Sequence, residues 1–213
     1  MFGSDGNLIA CQNGTQRLVR YDEHGNEETV VENAPSNDLV VLPFGMYYTD
    51  PTNKKVWFVN SSGVRTLADE GIEFPNGIIA SPDHSLLLVS DTRGRFTYSF
   101  QIQQDGQLAH KQRYGHVHVP DGAGDSGADG MAVDTEGRVY LTTRLGLQIF
   151  DQLGRCHLIL NRPQDAWLSN VVFAGANFDT LYVTCGDKVY RRKVKAQGVI
   201  PWQGAVKPPQ PRL

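Results

Sequence analysis

The feature that most constrains this chain is a phrase that recurs four times. An Asn or Asp stands immediately before a short apolar run in SNDLVV (36–41), PNGIIA (75–80), ADGMAV (128–133) and SNVVFA (169–174). The leading residues Asn37, Asn76, Asp129 and Asn170 lie 39, 53 and 41 positions apart. Each phrase is followed by a turn and a second strand, in MYYTD (46–50), LLLVSD (86–91), RVYLTT (138–143) and TLYVTC (180–185). A third strand then follows in VWFVN (56–60), RFTYSFQI (95–102), LQIFD (147–151) and KVYRRKV (188–194). Short runs rich in Val, Tyr, Phe and Thr, bounded by Gly, Asp, Asn and Pro, are the pattern of antiparallel strands joined by tight turns. No window carries a helical period. Four short strands repeated every 40 to 50 residues or so predict a β-propeller with one blade per repeat.

The strand count sets the extent of the ring. NLIACQ (7–12), RLVRYD (17–22) and ETVVEN (28–33) read as strands two to four of a blade whose innermost strand is absent. No fourth strand is read after the last repeat. The sum is 18 strands, or roughly four and a half blades, where a closed ring of six needs about 24. Residues 1–200 are therefore expected to form a partial propeller, lacking a first blade, and 201–213 a proline-rich tail. An open ring is expected to expose rows of unpaired strand edges.

Composition narrows the function classes. A net charge of −3 without a run of Lys or Arg argues against a nucleic-acid partner, since phosphate binding needs a concentrated basic surface. No stretch of 18 apolar residues predicts a membrane span, and no basic-then-apolar leader is read at the N-terminus, so the compartment is left open. Cys11, Cys156 and Cys185 show neither metal spacing nor a paired framework and are expected to be free, buried thiols.

These residues resemble the SMP-30, gluconolactonase and luciferin-regenerating family of six-bladed propellers, and the bacterial gluconolactonases most of all. The resemblance runs from DGNLIACQNGTQRLVRYDEHG (5–25) to LYVTCGDKVYRRKV (181–194). It is most specific in SNDLVV with YYTDP (47–51), FPNGIIASPDHSLLLVSDT (74–92), GADGMAVDTEGRVYLTT (127–143) and LSNVVFAG (168–175). It implies one divalent cation at the centre of the ring, with Asn76 and Asp129 among its ligands, and Asn37 and Asn170 lining the substrate pocket. The glutamate that the family supplies from a phrase like EGPVW has no counterpart in this chain. The implied activity is hydrolysis of sugar lactones, with Asp129 as ligand and general base. The alternative is a propeller fragment that binds without catalysing.

The residue chemistry agrees with that implication. Amide and carboxylate oxygens are hard donors that suit calcium first and accept magnesium, zinc or manganese. A cation so placed would polarise a lactone carbonyl toward attack by water. The expected partner is a small-molecule lactone. His116 and His118, at i and i+2, share one face of a strand but have no third ligand nearby, and are expected at the surface or pocket edge. The glycine-rich PDGAGDSGADG (120–130) is either a lid over the tunnel mouth or a long connection. Ser126 lacks a GxSxG phrase and a histidine partner, which argues against a serine nucleophile.

Overall fold

The structure, a computed structural model, describes residues 1–211; Arg212 and Leu213, the end of the expected tail, lie outside the described residues. It is an all-β propeller of five antiparallel sheets arranged in chain order. The first sheet holds β1 (Leu8–Gln12), β2 (Arg17–Tyr21) and β3 (Glu27–Val31). The second holds β4 (Leu39–Leu42), β5 (Gly45–Asp50), β6 (Lys55–Asn60) and β7 (Arg65–Glu70). The third holds β8 (Pro75–Ala80), β9 (Leu86–Asp91), β10 (Phe96–Ile102) and β11 (Leu108–His116). The fourth holds β12 (Met131–Val133), β13 (Val139–Thr143), β14 (Gly146–Phe150) and β15 (Cys156–Leu160). The fifth holds β16 (Leu168–Ala174), β17 (Thr180–Cys185) and β18 (Lys188–Lys193). The only helical turn among the described residues is a 3-10 turn at Asn13–Thr15.

The 18 strands match the number read from the sequence, but they make five blades rather than four and a half. Each terminal set of three closes into a sheet of its own. Beside β1, Met1 and Phe2 add a short stub: Met1 and Ile9 exchange backbone hydrogen bonds at 2.7 and 2.9 Å, and Phe2 bridges Leu8. This stub takes the place of the innermost strand that the sequence reading left empty.

Blades pack face to face, and the alternating burial of their strands shows which faces meet. The main core lies between the second, third and fourth sheets, with Tyr47, Phe58, Ile78, Leu87, Phe100, Met131, Leu141 and Phe150 buried in it. Leu168, Val171, Phe173, Leu181 and Cys185 turn one face of the fifth sheet onto Tyr140 and Ile149 of the fourth. Its other face is turned away, leaving Val172 55% and Val189 67% exposed. A cavity of about 820 Å³ runs between that face and the first sheet, lined by Val172, Tyr182 and Val189 on one side and Leu8 and Ala10 on the other. The open side of this ring therefore exposes apolar sheet faces, and not the rows of strand edges expected above, because edges belong to the rim of every blade whether or not the ring closes.

The tail is also better held than its composition suggests. Val199 donates to the Val133 carbonyl at 3.1 Å, Val206 to that of Pro82 at 2.8 Å, and Gln152 Nε2 to that of Pro209 at 2.7 Å. Residues 197–209 thus cross the end of the propeller away from the leading Asn and Asp residues. Of the three free thiols, only Cys185 is fully buried; Cys11 and Cys156 are partly exposed. His116 and His118 are exposed and stand edge to face with ring centroids 6.0 Å apart.

Candidate functional site

The four innermost strands β4, β8, β12 and β16 enter the ring from the same end, so the residues at their mouths converge. Asn37 Nδ2 donates to Asn76 Oδ1 at 3.1 Å, and Asn76 Nδ2 donates to Thr92 Oγ1 at 2.9 Å. Thr92 in turn donates to the Ala128 carbonyl at 2.7 Å, just before Asp129. Trp167 Nε1 donates to the Asp129 carboxylate at Oδ2, 2.8 Å away, and the Asn76 amide lies near enough to that carboxylate to hold its pKa down. Asn37, Asn76 and Asp129, separated by up to 92 positions in the chain, are thereby joined in one polar chain. Asn170 is set to the side: its Oδ1 accepts the Val171 amide at 2.8 Å, and it lines the cavity beside the fifth sheet.

A second carboxylate joins them. Asp38 lines the same cavity, and its Oδ1 accepts the Leu39 amide at 2.8 Å. Burial pushes its carboxyl up to about 6; the Leu39 amide works the other way, and the charge of Asp129 pushes it further up. Burial likewise raises Asp129, while the Trp167 and Asn76 donors hold it down. The site is therefore richer in negative charge than the sequence reading of one acid among amides. The repeat explains why Asp38 was passed over. The residue after the leading one is Gly77 in the third blade and Gly130 in the fourth, where the next blade presses in. A Cβ at Gly77 would overlap the Asp129 carbonyl, and one at Gly130 would overlap the Asn170 amide. At the matching place in the second blade the chain carries a carboxylate.

The backbone under the site is pinned by hydroxyls that the sequence reading did not single out. Thr49 Oγ1 donates to the Asn76 carbonyl at 2.8 Å, Ser90 Oγ to that of Asp129 at 2.9 Å, and Thr142 Oγ1 to that of Ser169 at 3.3 Å. Each comes from the second strand of one blade and reaches the site-bearing turn of the next. Their signal was present: a Ser or Thr stands 12, 14, 13 and 14 positions after each leading residue, at Thr49, Ser90, Thr142 and Thr184. Ser126 is buried and bonded to the Asp91 carbonyl at 3.1 Å, a structural use of its hydroxyl.

Among the described residues no three His, Cys, Asp or Glu side chains cluster as a metal site. What converges is two carboxylates, Asp38 and Asp129, with two amides, Asn37 and Asn76. An all-oxygen set with two carboxylates, one of them raised chiefly by burial and further by the charge of the other, fits a hard divalent cation such as calcium.

A β-propeller that gathers acid and amide oxygens at one end of its axis is the class of protein the geometry defines. A family model, that of the SMP-30/gluconolactonase/LRE-like region, matches residues 27–187, and the chain belongs to that family. It is 25% identical to a gluconolactonase of Zymomonas mobilis over 92% of this chain and 62% of that protein. It is 24% identical to a pentonolactonase of Haloferax volcanii over 84% of this chain and 64% of that one. The chain thus spans less than two thirds of the length of these relatives. Among solved structures it superposes on a gluconolactonase of Xanthomonas campestris with a TM-score of 0.76 at 24% identity, covering 89% of this chain and 69% of that one. It superposes on regucalcin, a calcium-binding protein of Agrobacterium tumefaciens, with a TM-score of 0.77 at 16% identity, covering 97% of this chain and 78% of that one. No helix among the described residues is long and apolar enough to cross a membrane.

Proposed function

We propose that this chain hydrolyses sugar lactones, cyclic esters of the kind named in its gluconolactonase and pentonolactonase relatives. The observation that carries the reading is the polar chain from Asn37 through Asn76 and Thr92 to the turn of Asp129, one end of which, Asn37 with Asp38, lines a cavity large enough for a monosaccharide lactone.

Asp129 and Asn76 would hold the divalent cation, with calcium the first choice on donor chemistry and magnesium, zinc and manganese as alternatives. When bound, such a cation supplies Lewis acidity toward a carbonyl oxygen. The side chains have separate tasks. Asn37 and Asn170, both with a free amide N–H, bind hydroxyl or ring oxygens of the substrate. Asp129 orients water and, as general base, takes its proton. Asp38 adds negative charge beside Asp129 and lines the cavity. The product is an open hydroxy acid, whose carboxylate is repelled by these two acids and leaves.

The test is hydrolysis of gluconolactone, followed by acid release, with calcium, magnesium and zinc titrated in turn. Asp129→Ala is expected to lower kcat/KM by at least about 100-fold, as loss of a group that acts on the reacting atoms does. Turnover that survives this substitution ends the assignment. Lactone binding without turnover in the wild-type protein would favour a binding module instead.

A further inference from the structure

Trp167 is placed in a way that core packing does not explain. Aromatic side chains contribute to stability chiefly by burying area, yet its ring is 40% exposed and borders an open pocket of about 280 Å³ with Pro120, Arg144, Arg162, Ala166 and Leu168. Its one polar atom, Nε1, is committed to Asp129 Oδ2 at 2.8 Å. The ring is itself held. The Arg144 guanidinium lies 5.2 Å from its centroid, a cation–π distance. That guanidinium is fixed by both oxygens of Asp125, at 2.6 and 3.2 Å. Asp125 belongs to the glycine-rich segment, and the segment fits the stack only by lacking a side chain at Gly127, which has a φ of +56°. A Cβ there would stand 2.5 Å from Arg144 Cγ and 2.9 Å from Trp167 Cη2.

We propose that Trp167 is the positioning residue of this site: its N–H occupies one oxygen of Asp129 and so presents the other to cation or water, with the Asp125–Arg144 pair as its brace. A carboxylate on a single torsion can present either oxygen, and a donor on Oδ2 selects one orientation. Groups that orient a ligand in this way typically change metal affinity or activity by about 10- to 100-fold when removed. The inference also gives the segment 120–127 a task, since it carries the brace and not only the connection between two blades. It rests on the lactonase reading for its kinetic part and on calcium binding alone for the rest.

The test is Trp167→Phe, which deletes the N–H and keeps an aromatic ring. Calcium affinity by titration calorimetry is expected to fall by about 10-fold or more, and kcat for gluconolactone by a similar factor with KM within about twofold. In an Asp129→Asn background the same substitution is expected to add nothing further, because the two residues act as one unit. Unchanged affinity and kcat in Trp167→Phe, or an equal loss in the Asp129→Asn background, overturns the proposal. If Trp167→Phe does not fold, Arg144→Gln replaces it: a fall in calcium affinity of about threefold or more supports the brace, and no change overturns it. Calcium binding that depends on Trp167 without lactone turnover would sink the lactonase reading and leave this one standing. A wild-type protein that neither binds calcium nor hydrolyses lactone overturns both.

Discussion

Nothing separates Gly77 from the carbonyl oxygen of Asp129: a Cβ at Gly77 would overlap that oxygen and crowd the backbone of Gly130. The third blade therefore presses on the fourth at the point where the acid is held. Gly77→Ala must push backbone against backbone and is expected to cost more than about 2 kcal/mol, the upper range for overpacking. Gly130→Ala meets the Asn170 amide first, an end that can swing away, and is expected to cost about half as much. Urea unfolding of the two variants checks the order, and equal losses would show that the close approach is relieved elsewhere.

Ser90 is fully buried, and its hydroxyl supplies a donor to that same Asp129 carbonyl at 2.9 Å. Ser90→Ala is expected to destabilise by about 1 kcal/mol, the usual worth of such a bond. Because the bond fixes the turn that carries the acid, kcat for gluconolactone is expected to drop several-fold with little change in KM. A kinetic measurement beside the unfolding curve separates the two effects.

Asp151 caps the turn between β14 and β15, accepting the Leu153 and Arg155 amides at 2.9 Å each and the His157 ring at 2.9 Å. Burial works to raise its carboxyl, but the Arg155 and His157 donors outweigh it and hold it down to about 2, from an ordinary 3.8. A depressed carboxylate stabilises the fold above its unfolded value and loses that contribution as pH falls through the folded one. With a discount for solvent screening of its exposed partners, Asp151→Asn is expected to lose about 1 kcal/mol at pH 7, with the difference from wild type shrinking below about pH 4 and gone only below about pH 2. Urea midpoints across that range test it.

Calcium at about 100 times its dissociation constant stabilises a protein by about 2.7 kcal/mol. A rise of several degrees in Tm is expected for the wild type and none for Asp129→Asn. Without calcium, Asp129→Asn is expected to melt no lower than wild type, since burial already disfavours the charged acid. A calcium shift preserved in the variant would remove Asp129 from the cation site.

How much of this was readable beforehand follows from what repeats and what does not. Asn37, Asn76 and Asp129 stand at one register of a repeating unit, so the sequence carries their convergence. The hydroxyls of Thr49, Ser90 and Thr142 repeat as well, but their partners lie in the following blade and appear only once the blades are packed. Asp38 and Trp167 break the repeat. Each is a single residue whose importance comes from a neighbour in another sheet, 91 positions away for Asp38 and Asp129 and 38 for Trp167 and Asp129. The blade count differed because the terminal groups of three strands each closed into a sheet without a fourth member.

The hydroxyl contacts also have a sense of rotation. Thr49 reaches forward to the third blade, Ser90 to the fourth and Thr142 to the fifth, each handing its support to the next turn in chain order. Two of them also hold their own blade, Thr49 Oγ1 accepting the Asp38 amide at 3.1 Å and Thr142 Oγ1 reaching the Gly130 carbonyl at 3.1 Å, so an injury to either second strand is felt at its own turn and at the one that follows.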